Sequence, residues 1–261
     1  MKCSEIIDLI ELLAPPSYAC DWDNPGLVVG RKEREIRTIL TALDATRAAV
    51  EKAMEEKADL IVTHHPMIFS SIKKINDGDF LGEKLLTLAE NKISCYAMHT
   101  NYDIAGGMAE ICGSRIGLLD PVPFEMTGEK EGRPVGIGQV GELPEEMTLL
   151  ECADKVKEAF GLSDLLVFGD LSGKVKRAAI SPGSGRSMLR EAGEAQVDVL
   201  ITGDIGHHEG LDSMDMGFSV IEAGHYGLEQ VFIQHITEYL TKKTKNVKVI
   251  PFYEGVPYKI V

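Results

Sequence analysis

Six of the seven histidines fall in four short segments, each entered from an apolar run. Leu60-Ile61-Val62-Thr63 leads into His64-His65-Pro66, and Ile93 to Met98 leads into His99-Thr100-Asn101-Tyr102-Asp103. Val197 to Thr202 leads into Gly203-Asp204 and then His207-His208-Glu209. Phe218 to Ala223 leads into Gly224-His225, with Glu229 four residues on. Neutral imidazole is the commonest protein ligand for zinc and related metals, and a carboxylate completes a mixed nitrogen and oxygen set. A divalent cation held this way polarises substrates or acidifies water. The chemistry indicated is metal binding, with hydrolysis as the reaction it best serves.

The four segments differ in what their spacing allows. Adjacent residues on a continuing strand point to opposite faces, but a chain turned at Pro66 lets His64 and His65 address one pocket. Asp103 either completes a mixed site or turns the loop before Gly106-Gly107. His225 and Glu229, at i and i+4, share a helix face and can hold a metal together; a glutamate there also suits a helix N-terminus. Asp204, His207, His208 and Glu209 read as ligand-orienting groups, substrate contacts or a solvated loop. Gly183-Ser184-Gly185-Arg186 offers backbone N–H groups to a phosphate or is simply a tight turn. It lacks both the Lys-Ser/Thr of a P-loop and the full G-x-G-x-x-G.

The elements that must position these residues alternate between strand and helix. Ser4 is expected to cap a first helix that Pro15-Pro16 stops. Residues 37–43, 45–57 and 59–63 read as a βαβ unit, which implies a parallel pair. Residues 82–91, 107–116, 148–160 and 227–242 have helical patterns, and 93–98, 165–168, 178–180, 197–202 and 218–223 read as strands. Residues 247–252 form a last strand, placed at an edge by Pro251. Between Pro121 and Pro144, glycine and proline are frequent, so this stretch is the expected boundary or crossing between lobes.

Composition narrows the function classes. With 261 residues and 44% hydrophobic content the chain can bury a full core. A net charge of −14 argues against nucleic acid as a partner, since that interaction needs a basic surface that releases counterions. No apolar window approaches the ~18 residues a membrane helix needs, and Asp8 and Glu11 interrupt the first apolar run, so neither a span nor a signal peptide is expected. Five dispersed cysteines without a C-x-x-C pair read as reduced thiols of a cytoplasmic protein.

Taken in order, Asp21-Trp22-Asp23-Asn24-Pro25-Gly26-Leu27, Thr63-His64-His65-Pro66 with Phe69, His99-Thr100-Asn101-Tyr102-Asp103, Thr202-Gly203-Asp204 and Gly224-His225-Tyr226-x-x-Glu229 resemble the NGG-one-interacting-factor-three-like family. Bacterial and archaeal members are often labelled GTP cyclohydrolase 1 type 2 homologues. The resemblance implies a two-lobed α/β fold, with mixed, mostly parallel sheets flanked by helices and a dinuclear metal site between the lobes at strand C-terminal ends. It implies one family domain with lobes over about 1–120 plus the C-terminal portion and about 121–200, in the short form without an inserted domain. Carried over by position, the ligands are His64, His65, Asp103, His225 and Glu229, holding two divalent ions of zinc, iron, manganese, nickel or cobalt. The implied activity is hydrolysis of a nucleotide, opening the purine ring. His99 or His208 would move protons, and Lys73, Lys74, Gly183, Gly185 and Arg186 would meet phosphates. A ring-shaped homohexamer, a trimer of dimers, is the implied assembly. The alternative is a non-catalytic ring that holds metal in a regulatory or protein-interaction role.

Overall fold

The structure, a computed structural model, describes residues 1–260. It divides into two compact units, one made of Met1–Gly106 and Phe232–Gly255, the other of Gly107–Val231 and the residues from Val256 onward. Both are α/β, with a mixed sheet in each.

The first unit opens with α1 (Cys3–Leu13), which buries Ile6, Ile7 and Ile10. Ser4 lies inside this helix and does not cap it. Lys2 is the cap residue, and its backbone N–H donates to the Glu5 carboxylate at 2.6 Å. After β1 (Gly26–Val29) come β2 (Thr38–Ala42), α2 (Arg47–Glu55), β3 (Leu60–Thr63), α3 (Phe80–Glu90), β4 (Ser94–Ala97) and α4 (Thr100–Ala105). Thr46 caps α2 and Asp79 caps α3 through side-chain oxygens that accept backbone N–H groups. All four residues of β3 and of β4 are buried. That explains their unbroken apolar runs: a parallel strand covered on both faces has no polar side to alternate.

The second unit contains α5 (Met108–Ile116), β5 (Leu119–Lys130), β6 (Arg133–Thr148), α6 (Leu149–Phe160), β7 (Leu166–Phe168), β8 (Lys174–Ser184), α7 (Leu189–Glu194), β9 (Val199–Asp204), α8 (His207–Asp215), β10 (Ser219–Glu222) and α9 (His225–Glu229). The chain then returns to the first unit as α10 (Val231–Lys243) and β11 (Lys248–Pro251).

Sheet order in the first unit is β1-β4-β3-β2-β11, with β1 antiparallel to β4 and the other pairs parallel. β11 lies at the edge, where Pro251 leaves no ladder partner unserved. In the second unit the order is β5-β6-β8-β9-β10-β7, with β8, β9 and β10 mutually parallel. Leu40, Val50, Ile61, Leu88 and Cys95 form the centre of one core, and Val140, Ala179, Leu200, Phe218 and Val220 the centre of the other.

Four places depart from the sequence reading. The glycine- and proline-rich stretch between Pro121 and Pro144 is the long hairpin β5–β6 rather than a boundary, and Lys130 pairs with Arg133 across the two-residue loop Glu131-Gly132. Both loop residues have positive φ, 53° and 76°, the requirement of a primed hairpin turn. Pro121 and Pro123 sit on β5, an edge strand. The polar tetrad Thr100–Asp103 is helical, as is His207–Asp215. The expected helix over 227–242 is interrupted at Gln230, so that α9 and α10 are distinct.

Candidate metal centre

In the first unit the C-terminal ends of three parallel strands lie side by side: Ala42 pairs with Thr63, and Thr63 with Ala97. The segments leaving them carry Asp44, His64-His65 and His99. Strand ends of this kind are where open α/β sheets build their sites. β3 stops because the backbone turns. The N–H groups of His64 and His65 both donate to the Leu43 carbonyl, at 3.1 and 3.0 Å, and Thr63 Oγ1 donates to the His65 carbonyl at 2.8 Å. Adjacent side chains that would diverge on a strand therefore converge, with ring centroids 4.9 Å apart. One donor nitrogen from each of His64, His65 and His99 lies within 4.8 Å of the others.

Each of these rings is anchored through Nδ1. His64 Nδ1 donates to the Met98 carbonyl at 2.7 Å, His65 Nδ1 to Asp44 Oδ1 at 2.9 Å and His99 Nδ1 to Asp23 Oδ1 at 2.7 Å. A carbonyl or carboxylate only accepts, so the ring proton sits on Nδ1 and the lone pair on Nε2. This is how metal-ligating histidines are held: the partner fixes tautomer and orientation and makes the ligand more basic. α4 adds Asp103, whose Oδ1 is 3.4 Å from His64 Nε2.

Asp23 is the best-held carboxylate of the group. Its side chain is fully buried. Its Oδ2 accepts from the Thr100 backbone N–H at 3.0 Å and from Thr100 Oγ1 at 2.5 Å. Burial pushes its acid upward, but the hydrogen bonds from His99 and Thr100 and the charge of His99 outweigh that and bring it to about 2. Asp23 is thus a permanent anion behind His99.

The second unit repeats the arrangement. β8, β9 and β10 run parallel, with Ser181 beside Thr202 and Thr202 beside Glu222. Gly224, at φ 75°, turns the chain from β10 into α9, which carries His225 and Glu229 on one face. His225 Nδ1 donates to Asp204 Oδ2 at 2.6 Å, and its Nε2 lies 3.0 Å from Glu229 Oε2. Glu229 is buried, with only 4% of its side chain exposed. Burial, followed by the charge of Asp204, raises the acid of Glu222 at the neighbouring strand end, against a backbone N–H from Ile205. Negative charge is therefore concentrated at the ends of β9 and β10, where a cation would relieve it.

Two glycines make this packing feasible. A Cβ on Gly183, which has φ 78°, would lie 2.8 Å from Glu229 Oε1. A Cβ on Gly203 would collide with the Gly183 carbonyl oxygen and lie 2.9 Å from His225 Cα. Gly185 packs against Thr202, and Arg186 pairs with Glu209 at 3.0 Å while its side chain stays 80% exposed. Gly183 belongs to β8, and a short 3-10 turn (Arg186–Met188) separates it from α7. His208 is exposed on α8, its ring 5.2 Å from that of His207, and Lys73 and Lys74 are exposed on the segment between β3 and α3.

The donors fit a divalent cation. They are imidazole nitrogens and carboxylate oxygens without cysteine, a set that suits zinc, iron, manganese and their neighbours. His64, His65 and His99 alone could hold an ion. Reading the sequence located the histidines and assigned Asp204 a choice of roles that included orienting a ligand. It missed Asp44 and the anchoring role of Asp23. Asp23 lies 76 residues from the ring it holds, and its only local signal is a turn-forming Asp-Asn-Pro-Gly context.

The model of the Duf34/NIF3 (NGG1p interacting factor 3) family matches residues 1–254. A protein of Clostridium acetobutylicum named GTP cyclohydrolase 1 type 2 homolog is 37% identical over 230 residues, covering 88% of this chain and 85% of its own. One of the same name from Clostridium perfringens is 36% identical over 244 residues, covering 91% and 90%. Among solved structures, a Bacillus cereus protein related to NIF3 superposes with a TM-score of 0.93 at 23% identity, covering 100% of this chain and 99% of that one.

Proposed function

The chain belongs to the Duf34/NIF3 family, and from that premise we propose that it is a divalent-metal-dependent hydrolase acting on a nucleotide, with opening of a purine ring as its reaction. The observation that carries this reading is the anchoring of four imidazoles through Nδ1, which puts the lone pair of each on Nε2. Residues retained for packing alone have no need of that uniformity. The name of the clostridial relatives, GTP cyclohydrolase 1 type 2 homolog, suggests the nucleotide class.

In this reading His64, His65, Asp103, His225 and Glu229 hold two divalent cations, which would supply Lewis acidity and lower the pKa of water toward neutrality. His99 takes up a proton at Nε2 while its Nδ1 keeps its own proton and goes on donating to Asp23, and the buried carboxylate stabilises the imidazolium that results. His208 is the second proton carrier. Lys73, Lys74 and Arg186, with the backbone at Gly183 and Gly185, are assigned to substrate phosphates. A cytoplasmic homohexamer, a trimer of dimers, completes the proposal.

The test is metal analysis of the purified protein joined to a hydrolysis screen over nucleoside triphosphates. Two equivalents of divalent metal, formate released from GTP, and loss of both in His64→Ala and Glu229→Gln support the reading. Unchanged metal content and unchanged hydrolysis in those variants would sink it. Two equivalents without turnover of any nucleotide would move the function to non-catalytic metal holding.

A further inference from the structure

Trp22 is the sole tryptophan of the chain, and it is 59% exposed. Phe69 is 57% exposed. Large aromatic side chains left in water forgo a substantial burial gain, so two of them held side by side call for an explanation. Their ring centroids are 5.8 Å apart with an interplanar angle of 53°, so they form an open notch rather than a closed stack. The notch abuts the histidine cluster. Trp22 meets His99 edge-on at 5.9 Å, and His99 is 5.3 Å from His64 and 5.5 Å from His65.

The placement is built rather than accidental. The turn that carries Trp22 is tied down on both sides: the Cys20 N–H donates to Thr100 Oγ1 at 2.9 Å, and Asp23 accepts from His99 and Thr100. The segment carrying Phe69 is joined to the same turn, since Asn24 Nδ2 donates to the Ile68 carbonyl at 2.7 Å. One hydrogen bond thus sets the two aromatic rings against each other, while their neighbours fix His99. Every anchor belongs to the polar backbone and side chains of the turn, so the rings themselves remain available to a ligand.

We propose that Trp22 and Phe69 form a stacking notch that takes a planar nitrogen heterocycle, a purine base, and delivers it to the edge of the histidine cluster. Stacking on aromatic side chains is sequence-tolerant because each base has a π-face. The notch therefore recognises a flat ring as such, and the polar groups beside it choose among rings. This rests on the hydrolase reading for its place in a reaction, but binding to the notch does not. Trp22 and Phe69 are positioning residues and leave the chemistry to the groups around His99.

Because Trp22 is the sole tryptophan, its fluorescence reports the notch directly. The metal-loaded protein is titrated with GMP and, separately, with inorganic tripolyphosphate, and affinities are measured by calorimetry. GMP is expected to quench Trp22 and tripolyphosphate to leave it unchanged. Phe69→Ala and Trp22→Ala should each weaken GMP about tenfold, within the range of a stacked base, while Trp22→Phe retains most of the affinity. In a hydrolysis assay the same alanine variants should raise KM with kcat little changed. Wild-type GMP affinity in both alanine variants would overturn the notch, as would equal quenching by tripolyphosphate. A change of particle mass in either variant would also overturn it, by showing that a second copy covers the rings. GMP binding that persists in a protein with no turnover upholds the notch and removes the hydrolase; formate release that ignores both alanine variants does the reverse.

Discussion

Three carboxylates set the behaviour of the histidines: Asp23, Asp44 and Asp204 each accept a hydrogen bond from an Nδ1–H group. Replacing Asp44 or Asp204 by Asn keeps the shape and removes the charge that makes the ring a better donor. Each change is expected to weaken metal binding about 10–100-fold, read by competition with a chelating dye, with little loss of stability, because both carboxylates are about half exposed. Asp23 differs because it is buried. Its acid lies at about 2 against an ordinary 3.8, so the folded state favours the anion. At 1.36 kcal/mol per unit, that shift is worth about 2 kcal/mol at neutral pH. The contribution is complete above about pH 4 and disappears as pH falls through about 2. Asp23→Asn should therefore lower the urea midpoint at pH 6 and progressively less at pH 3; an equal deficit at both pH values would refute the assignment. Asp44 and Asp23 escaped the sequence reading because a turn aspartate looks the same whether or not a distant ring needs it. The histidines did not escape it, because apolar strands pointed at them.

Strands and helices differed in how openly the sequence announced them. β2, β3, β4, β9 and β10 lie inside their sheets and leave nearly continuous apolar runs. α6 carries its cap in plain sight: Thr148 Oγ1 accepts from the Glu151 N–H while Glu151 accepts from the Thr148 N–H. α4 and α8 were hidden because histidines, carboxylates, Asn101 and Gly210 occupy positions a helical apolar stripe would use. The β5–β6 hairpin was hidden because Glu131-Gly132 is not the usual Asn-Gly signal. At this scale the packing of β8, β9 and α9 gives a further prediction. Gly203→Ala adds one methyl where Gly183 O and His225 Cα already sit, so α9 must shift. Overpacking of this kind costs about 1–3 kcal/mol, and metal retained through His225 and Glu229 should fall more steeply than stability. Urea midpoints and metal content measured on the same preparation separate the two effects.

The whole chain is an interrupted one. The segment 107–231 is continuous and has its own core, whereas the first unit is completed only by Phe232–Gly255. Within that unit Phe232 packs edge-on to Tyr102 at 4.9 Å, Thr237 shares a hydrogen bond with Thr41 at 2.6 Å, Tyr239 donates to the Leu9 carbonyl at 2.7 Å, and β11 extends the sheet beside β2. Residues 107–231 expressed alone should give a folded protein with slowly exchanging amide protons. Residues 1–106 alone should remain unfolded until a peptide of residues 232–255 is supplied; cooperative unfolding of 1–106 by itself would contradict this. The resemblance of the motifs carried the α/β class correctly from the sequence. The resemblance implied a first lobe of about 1–120 plus the C-terminal portion; α10 and β11 themselves look locally like any closing helix and strand.

That return has a consequence during synthesis. The first 106 residues leave the ribosome before the helix and strand that finish their unit exist. At about 5–20 residues per second, on the order of 10 s passes before α10 and β11 follow. For that interval β2 has an unpaired edge, and the apolar surface meant for Phe232 and Ile236 faces the solvent. The segment made later is therefore expected to complete its fold before the segment made first, which waits with apolar surface exposed.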